Sequence, residues 1–333
     1  MPKRRRTEDD DASDPGSSAS EPTPKEWAKH KDLWFDDGNV ILAAGNTLFR
    51  VYRGLLANAS PIFRDMFSIP QPADAETMEG CQVVYLDDPE WDMEIFLELL
   101  HKGYSMDESG IATLGVARAL LYFGDKYQAE DLATMGRKRI EDNFLPGNIE
   151  DWMTMHDSDV PEDETQHDPD SWDIEDSILI ANVTRRFKLH DMHLRALYIC
   201  SQLNMKALLA GRPGPDGKLQ YLCSEDLAEC VDCRPRLQAM EHKLKMDLAF
   251  QLPATKCCHL SRSDVRNALW KSGTTLTCHD PLAGKKWIRE YCLKLEPFRK
   301  MCAKCVLHYE QQFLDERQKI LDNLGKYIKI EPF

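Results

Sequence analysis

The residues best suited to chemistry are cysteines near the end of the chain, which occur in pairs or beside histidines. They form the groups Cys230-Val231-Asp232-Cys233, Cys257-Cys258-His259, Cys278-His279 and Cys302-Ala303-Lys304-Cys305, with His308 close by. Thiolate and imidazole are ligands that zinc prefers, and a Cys-x-x-Cys pair can offer two thiolates from one tight turn. These residue types therefore suggest a zinc site in the C-terminal part of the chain.

The predicted ligand set is Cys257, Cys302 and Cys305, with Cys230 or His259 as the fourth ligand. The Cys-x-x-Cys pairs lie too far apart for one ordinary zinc finger, so the fold must bring the ligands together. Four protein ligands leave no open position for a substrate, so this zinc would be structural and would support folding. The alternative is that the cysteines are small buried hydrophobic side chains.

Two further patterns resemble metal sites but are better explained without a metal. His190 and His193 could share one helix face, yet no further ligand is evident nearby. The segment 157–176 contains ten carboxylates, but Pro161-Glu162 stands where a calcium loop needs a ligand and then a glycine. We therefore predict surface or partly buried histidines and a solvated acidic linker.

Sequence patterns of catalytic sites are missing from the chain. It has no glycine-rich phosphate loop, no Gly-x-Ser-x-Gly elbow, no His-Glu-x-x-His helix and no dinucleotide fingerprint. We therefore predict that the protein has no enzymatic activity of its own.

The composition limits the class of protein and its partners. Hydrophobic residues make up 42% and charged residues 29% of the 333 residues, which is typical of a soluble globular protein. The formal charge of −14 repels phosphate backbones and argues against broad nucleic-acid binding, while it leaves a local basic patch open. No apolar run approaches the roughly 20 residues that span a bilayer, and no signal peptide precedes the charged start. We therefore expect an intracellular soluble protein, not bound to a membrane, with reduced cysteines.

Residues 1–26 have the composition of a disordered tail. A basic cluster at Lys3-Arg4-Arg5-Arg6 is followed by an acidic run and a segment rich in serine and proline. The basic cluster could direct nuclear import, or it could simply be solvated. The sequence leaves both the nucleus and the cytoplasm open as locations.

Strands are predicted directly after this tail. Leu33-Trp34-Phe35 and residues 40–43 are apolar runs separated by turn-forming residues 36–39, which predicts a hairpin. A second turn around Gly45 leads into residues 47–51. Together these runs predict a meander of three antiparallel strands.

Helices are predicted to follow the strands. Ser60 suits an N-cap and Pro61 the first helical position, and Phe63 and Phe67 then fall on one helical face. Residues 81–86 are a further strand candidate. Additional helices are predicted over residues 87–102, 111–123, 127–144, 177–209 and 306–328. The predicted fold class is α+β, followed by a mainly α-helical C-terminal region.

The strand and helix pattern resembles the BTB/POZ domain. The matching residues are Asp32, Phe49-Arg50-Val51-Tyr52-Arg53, Leu56, Ser60-Pro61-Ile62-Phe63 and Met66-Phe67, with Tyr52 where the family usually has histidine. The resemblance implies a BTB/POZ domain over 28–145, an acidic linker or loop over 146–176, and a helical domain with the cysteine cluster over 177–333. Residues 114–152, residues 194–200 and the closing Cys-x-x-Cys also resemble BTB proteins that are numerous in mushroom-forming (basidiomycete) fungi.

The resemblance implies protein–protein interaction through a sheet edge and helical faces, including homodimerisation. It suggests a charge pair between Asp32 and Arg53, which either lies near a dimer contact, with Leu33 and Phe67 at the same interface, or only stabilises the fold. Within this class the chain is predicted to be a substrate adaptor for a cullin-type ubiquitin ligase. Against this, residues 69–80 lack a convincing copy of the apolar-x-acidic pattern of cullin-binding members. The alternative is a nuclear, transcription-associated regulator that acts through BTB-mediated dimerisation.

Overall fold

The computed structural model of the protein describes residues 27–70, 76–102, 110–156, 173–214, 217–250 and 301–333, together with 263, 267, 281–282 and 299. The chain divides into two compact units. The sheet unit contains the residues up to Val51 and Asp74–Glu90, and the helical unit contains Tyr52–Ala73 and Trp91–Phe333. The predicted tail 1–26 lies outside the described residues.

The described part of the sheet unit is a mixed, five-stranded sheet with the order β1-β3-β2-β5-β4. The strands are β1 (Ala28–Trp34), β2 (Val40–Ala44), β3 (Thr47–Val51), β4 (Thr77–Met78) and β5 (Cys81–Leu86). β2 and β3 form an antiparallel hairpin whose two-residue turn holds Gly45 at φ +60°, a conformation that glycine adopts easily. The strand predicted over residues 81–86 is confirmed as β5, and it pairs with β2 in parallel.

The predicted hairpin between the first two strands is wrong, and so is the meander of three antiparallel strands. β1 pairs with β3, in parallel, and starts at Ala28. The two edges of β2 are already occupied by β3 and β5, so no edge is left for β1. The turn after β1 bonds to β3 as well, because the amides of Phe35 and Asn39 donate to carbonyl oxygens of Arg50 and Val51 (2.9 and 3.0 Å).

The predicted helices are present, and α+β is confirmed as the fold class. The helices of the described chain are α1 (Arg53–Ala59), α2 (Pro61–Ser68), α3 (Glu90–Lys102), α4 (Gly110–Lys126), α5 (Glu130–Asn143), α6 (Ile149–His156), α7 (Ser177–Arg186), α8 (His190–Gln202), α9 (Met205–Ala210), α10 (Ser224–Phe250) and α11 (Ala303–Leu321). The short strands β6 (Arg212–Pro213) and β7 (Leu219–Gln220) form an antiparallel ribbon. In the described part of the chain, 3₁₀ turns cover Ile174–Asp176 and Leu324–Lys326.

Ser60 confirms the predicted start of α2. Its side-chain oxygen accepts a hydrogen bond from the Phe63 amide (3.1 Å), and Pro61 is the first helical residue. The Ser60 hydroxyl also donates to the Tyr127 carbonyl oxygen (2.7 Å), so one buried side chain both caps α2 and ties it to the end of α4.

The core of the helical unit contains side chains from α4, α6, α7, α8, α10 and α11. The segment predicted as a helix over 306–328 contributes to it, since Phe313, Ile320 and Ile328 are buried. Structure also occurs at both ends of the range predicted as an acidic linker. Trp152 of α6 is buried in the core, and Asp176 forms an ion pair with Arg212 (2.7 Å). Residues 157–172 between them lie outside the described part of the chain.

Candidate interaction surface

One face of the sheet carries a group of aromatic side chains above a small apolar cluster. The cluster consists of Ile41, Ala43, Leu48, Cys81 and Val83, with Trp27, Trp34 and Met78 packed against it. Tyr85 lies on the same face, with its ring centroid 5.6 Å from that of Trp27 and the ring planes inclined by 56°. Tyr85 is 53% exposed. We call Trp27, Trp34, Met78 and Tyr85 the aromatic face.

The charged side chains described on this face bind one another. The ammonium group of Lys29 lies 4.4 Å from the ring centroid of Trp34 and also pairs with Glu79. Arg50 binds the second carboxylate oxygen of Glu79 (3.2 Å). Hydrogen bonding from Lys29 lowers the pKa of Glu79, and the charges of Lys29 and Arg50 act in the same direction. The face is therefore apolar, with a polar border in which two cations share one carboxylate.

Tyr85 is oriented by a second carboxylate. Its hydroxyl donates a hydrogen bond to Glu76 (2.7 Å), and this bond raises the pKa of Tyr85 above its ordinary value. The phenol is thus held neutral and in one orientation, while half of its surface stays accessible.

Glu79 occupies a backbone conformation that is uncommon for its residue type. It forms the two-residue turn between β4 and β5 with Gly80, at φ +52° and +76°. Such a turn favours asparagine, aspartate or glycine at its first position. A glutamate side chain is long enough to reach both Lys29 and Arg50 from this turn, and those contacts offset the local strain.

The edges of the described sheet offer little backbone for a further strand. β4 has two residues. On the other edge, β1 leaves the regular register between Lys29 and Trp34. There the imidazole Nδ1 of His30 accepts hydrogen bonds from the amides of Asp32 (3.3 Å) and Leu33 (3.1 Å). A bulge and a short strand both hinder the addition of a further strand at these edges.

The predicted interface residues differ in their accessibility. Asp32 is exposed in the sheet unit, and Arg53 is exposed in the helical unit, where its guanidinium donates to the Phe67 carbonyl oxygen and lies 5.0 Å from the Phe67 ring centroid. The predicted Asp32–Arg53 pair stays a prediction. Leu33 is 0% exposed and Phe67 is 5% exposed, so neither side chain offers substantial surface to a partner in this conformation.

A buried polar network joins α7, α8 and α10. The imidazole Nε2 of His193 donates to Asp226 Oδ1 (3.2 Å), and its Nδ1 lies 3.1 Å from the Thr184 hydroxyl. The guanidinium of Arg185 donates to the same Asp226 oxygen (2.7 Å). The ring of Phe333 covers this site, with its centroid 5.2 Å from that of His193.

This network has the residue types of a hydroxyl–histidine–carboxylate triad, but its geometry is that of a structural site. Thr184, His193 and Asp226 each have 0% exposure. The Thr184 hydroxyl is also within hydrogen-bonding distance of the carbonyl oxygens of Ile180 (2.9 Å) and Ala181 (3.0 Å) in its own helix. A hydroxyl enclosed in this way cannot reach a substrate, so the network stabilises the helical unit.

The prediction that His193 lies at or near the surface is therefore wrong. Both of its ring nitrogens have protein partners, and the imidazole is fully buried, whereas His190 is half-buried. The sequence spacing alone could not reveal Asp226 as its partner, because thirty-three positions separate the two residues.

Three cysteines on α8 and α10 are core thiols. Cys200, Cys230 and Cys233 each have 0% exposure. A hydrogen bond with the Cys200 thiol, together with burial, raises the pKa of Cys230, and burial raises the pKa of Cys233 to about 11. A protonated, buried thiol is a poor metal ligand and a poor nucleophile. For these residues the geometry favours the predicted alternative of small buried hydrophobic side chains.

The second Cys-x-x-Cys pair has a different setting, at the start of α11. Cys302 is the N-cap, and the Cys305 amide donates to the Cys302 carbonyl oxygen (2.9 Å), which makes a tight turn. Cys302 is half-buried and Cys305 is buried. Cys257 and His259 lie outside the described residues. Within the described residues, groups of three or more histidine, cysteine or acidic side chains that could hold a metal ion are not found.

A long apolar helix that could cross a membrane does not occur in the described part of the chain.

Comparison with curated proteins gives no match. The family model described as BTB/POZ domain matches residues 34–143, from the end of β1 to the end of α5. This match confirms the resemblance seen in the sequence, while the narrower likeness to basidiomycete proteins stays a prediction. Residues 34–143 are a BTB/POZ domain, and this chain therefore carries a protein–protein interaction module.

Proposed function

We propose that the chain is a non-enzymatic interaction protein whose BTB/POZ domain binds another polypeptide through the aromatic face. The observation that carries this proposal is a half-exposed Tyr85 that lies beside Trp27. On the same face, Lys29 and Arg50 already bind Glu79. Accessible aromatic side chains contribute strongly to protein interfaces. The hindered sheet edges favour this face over strand addition.

The finer proposal is a substrate adaptor for a cullin-type ubiquitin ligase. In it the BTB/POZ domain contacts the cullin scaffold, as a homodimer, and the helical region after residue 145 selects the substrate. The helices after residue 145 share one core with α4 and α5, and they add exposed side chains of their own, among them Leu209 and Tyr221.

The test compares full-length protein with two matched variants, Tyr85→Ser and Tyr221→Ser. The two tyrosines are 53% and 54% exposed, but Tyr85 lies in the sheet unit and Tyr221 in the helical unit. We expect proteins recovered by the wild type from cell extract to be lost with Tyr85→Ser and retained with Tyr221→Ser. Recovery of the same proteins with all three forms would contradict docking through the aromatic face.

A direct measurement addresses the adaptor role. Purified cullin is titrated against the immobilised full-length chain, and the adaptor role predicts saturable binding that Tyr221→Ser leaves unchanged. Absence of binding at low salt would remove the cullin role while leaving the interaction function in place.

We also propose a structural zinc bound by Cys302 and Cys305 with Cys257 and His259. The tight turn from Cys302 to Cys305 supports these two residues as ligands, and the raised pKa of the buried Cys230 thiol favours His259 as the fourth ligand. Atomic emission should detect about one zinc per wild-type chain and almost none in the double variant Cys302→Ser/Cys305→Ser. Cys223→Ser serves as the control, with unchanged metal content. Zinc-free wild type, purified without chelator, would refute this assignment.

A further inference from the structure

We infer that the aromatic face binds an uncharged, proline-rich segment in an extended, polyproline II conformation. This inference rests on the proposed function, in which this face docks a polypeptide, and it names the chemical class of that polypeptide.

The first step is the shape of the aromatic pair. The inclined rings of Trp27 and Tyr85, with centroids 5.6 Å apart, form a wedge rather than a flat stack. The partly buried Trp34 and Met78 continue the apolar surface over the same cluster. Proline rings are rigid and apolar, and polyproline II segments dock on grooves lined by aromatic rings with little loss of conformational entropy.

The second step is the charge of the face. The positive groups Lys29 and Arg50 are bound by Glu79, and Glu76 accepts the Tyr85 hydroxyl hydrogen bond. These two cations and two carboxylates already bind partners on the face, and their charges sum to zero. A charged ligand would therefore have to compete with existing contacts. An acidic ligand would also meet the chain's formal charge of −14. The complementary ligand is therefore uncharged.

The third step concerns the ligand backbone. A β-strand ligand needs a row of open amides and carbonyl groups at a sheet edge. The described edges are blunted by the two-residue β4 and by the β1 bulge, where His30 accepts the amide hydrogens of Asp32 and Leu33. A polyproline II segment has no need of such an edge, because it docks through its side chains.

The experiment measures binding of a synthetic peptide of repeated Pro-Pro-Leu-Pro units, capped at both ends, to the full-length protein by calorimetry and tryptophan fluorescence. We expect saturable binding that Tyr85→Ser weakens about tenfold or more, as for loss of a central aromatic contact. Tyr221→Ser, with equal exposure in the helical unit, should bind like the wild type. Tyr85→Phe keeps the ring and should retain binding, and a circular dichroism spectrum of Tyr85→Ser equal to that of the wild type would show that its loss of binding does not arise from misfolding.

A capped Gly-Ser peptide and capped lysine-rich and glutamate-rich peptides of the same length are the ligand controls. Equal or tighter binding of any of them would overturn the assignment to proline-rich segments, as would equal binding by Tyr85→Ser and wild type. If sedimentation shows a dimer that Tyr85→Ser dissociates while the proline peptide does not bind, a second copy occupies the face and the inference fails. Proteins recovered through Tyr85 without proline-peptide binding would leave the proposed function intact and refute the ligand class alone.

Discussion

Replacing Asp226 by alanine should lower the free energy of unfolding by about 3–5 kcal/mol, the range for breaking a buried ion pair. Asp226 has no accessible surface and accepts hydrogen bonds from both His193 (3.2 Å) and Arg185 (2.7 Å). Its removal leaves an imidazole at 0% exposure without its carboxylate partner and leaves a cavity beside it. Denaturant unfolding, followed by the circular dichroism of the helices, measures the change.

Asp232→Ala is the matched control on the same helix, because Asp232 is exposed. Its effect should stay within about 0.5 kcal/mol, as is usual for surface substitutions. A loss below about 1 kcal/mol for Asp226→Ala would show that the network contributes little to stability.

The same carboxylate predicts the direction of a pH dependence. Burial alone raises the pKa of Asp226, but the hydrogen bond from His193 and the charges of His193 and Arg185 bring it below its ordinary value. A carboxyl group with a lowered pKa in the folded state stabilises the fold above its unfolded pKa of about 3.9 and loses this contribution as the pH falls through the folded value. The stability difference between wild type and Asp226→Ala should therefore shrink as the pH falls below about 4. A difference that grows on acidification would contradict this assignment.

Local patterns in the sequence predict the elements well. Ser60-Pro61 identifies the start of α2 because an N-cap and a following proline act within one turn. The run from Cys81 to Leu86 identifies β5 to the residue, since residues such as valine and tyrosine favour a strand locally. In both cases the determining interactions lie within a few positions of the chain.

Pairings across long stretches of sequence are what the sequence could not predict. The pairing of β1 with β3 depends on β5 occupying the second edge of β2, some forty residues further on. The contact between Trp27 and Tyr85 follows from that same strand order, so neither aromatic residue stood out in the sequence as part of a surface. Leu33 shows the opposite case. The sequence suggested this apolar residue for an interface, but its side chain is buried within its own chain.

Replacing Gly124 by alanine should destabilise the protein by about 1–3 kcal/mol, the usual range for overpacking. Gly124 lies in α4 where that helix contacts α5, and an added Cβ atom would be 2.6 Å from the Ala133 Cβ atom and 2.7 Å from the Ala133 backbone nitrogen. Neither atom can rotate away, so the two helices would have to separate. Gly136 of α5 is similarly confined, with the Ala117 carbonyl oxygen 2.9 Å from its ideal Cβ position.

Gly54→Ala provides a control whose predicted effect has the opposite sign. Gly54 lies within α1, and an added Cβ atom there would meet nothing within 4 Å. Alanine should then stabilise the protein by about 0.5–1 kcal/mol, because it favours the helix and restricts the unfolded chain. Thermal unfolding of both variants measures the difference. A melting temperature raised by Gly124→Ala would contradict this prediction. It would mean that helix propensity outweighs the steric conflict and that α4 and α5 are not in close contact at Gly124.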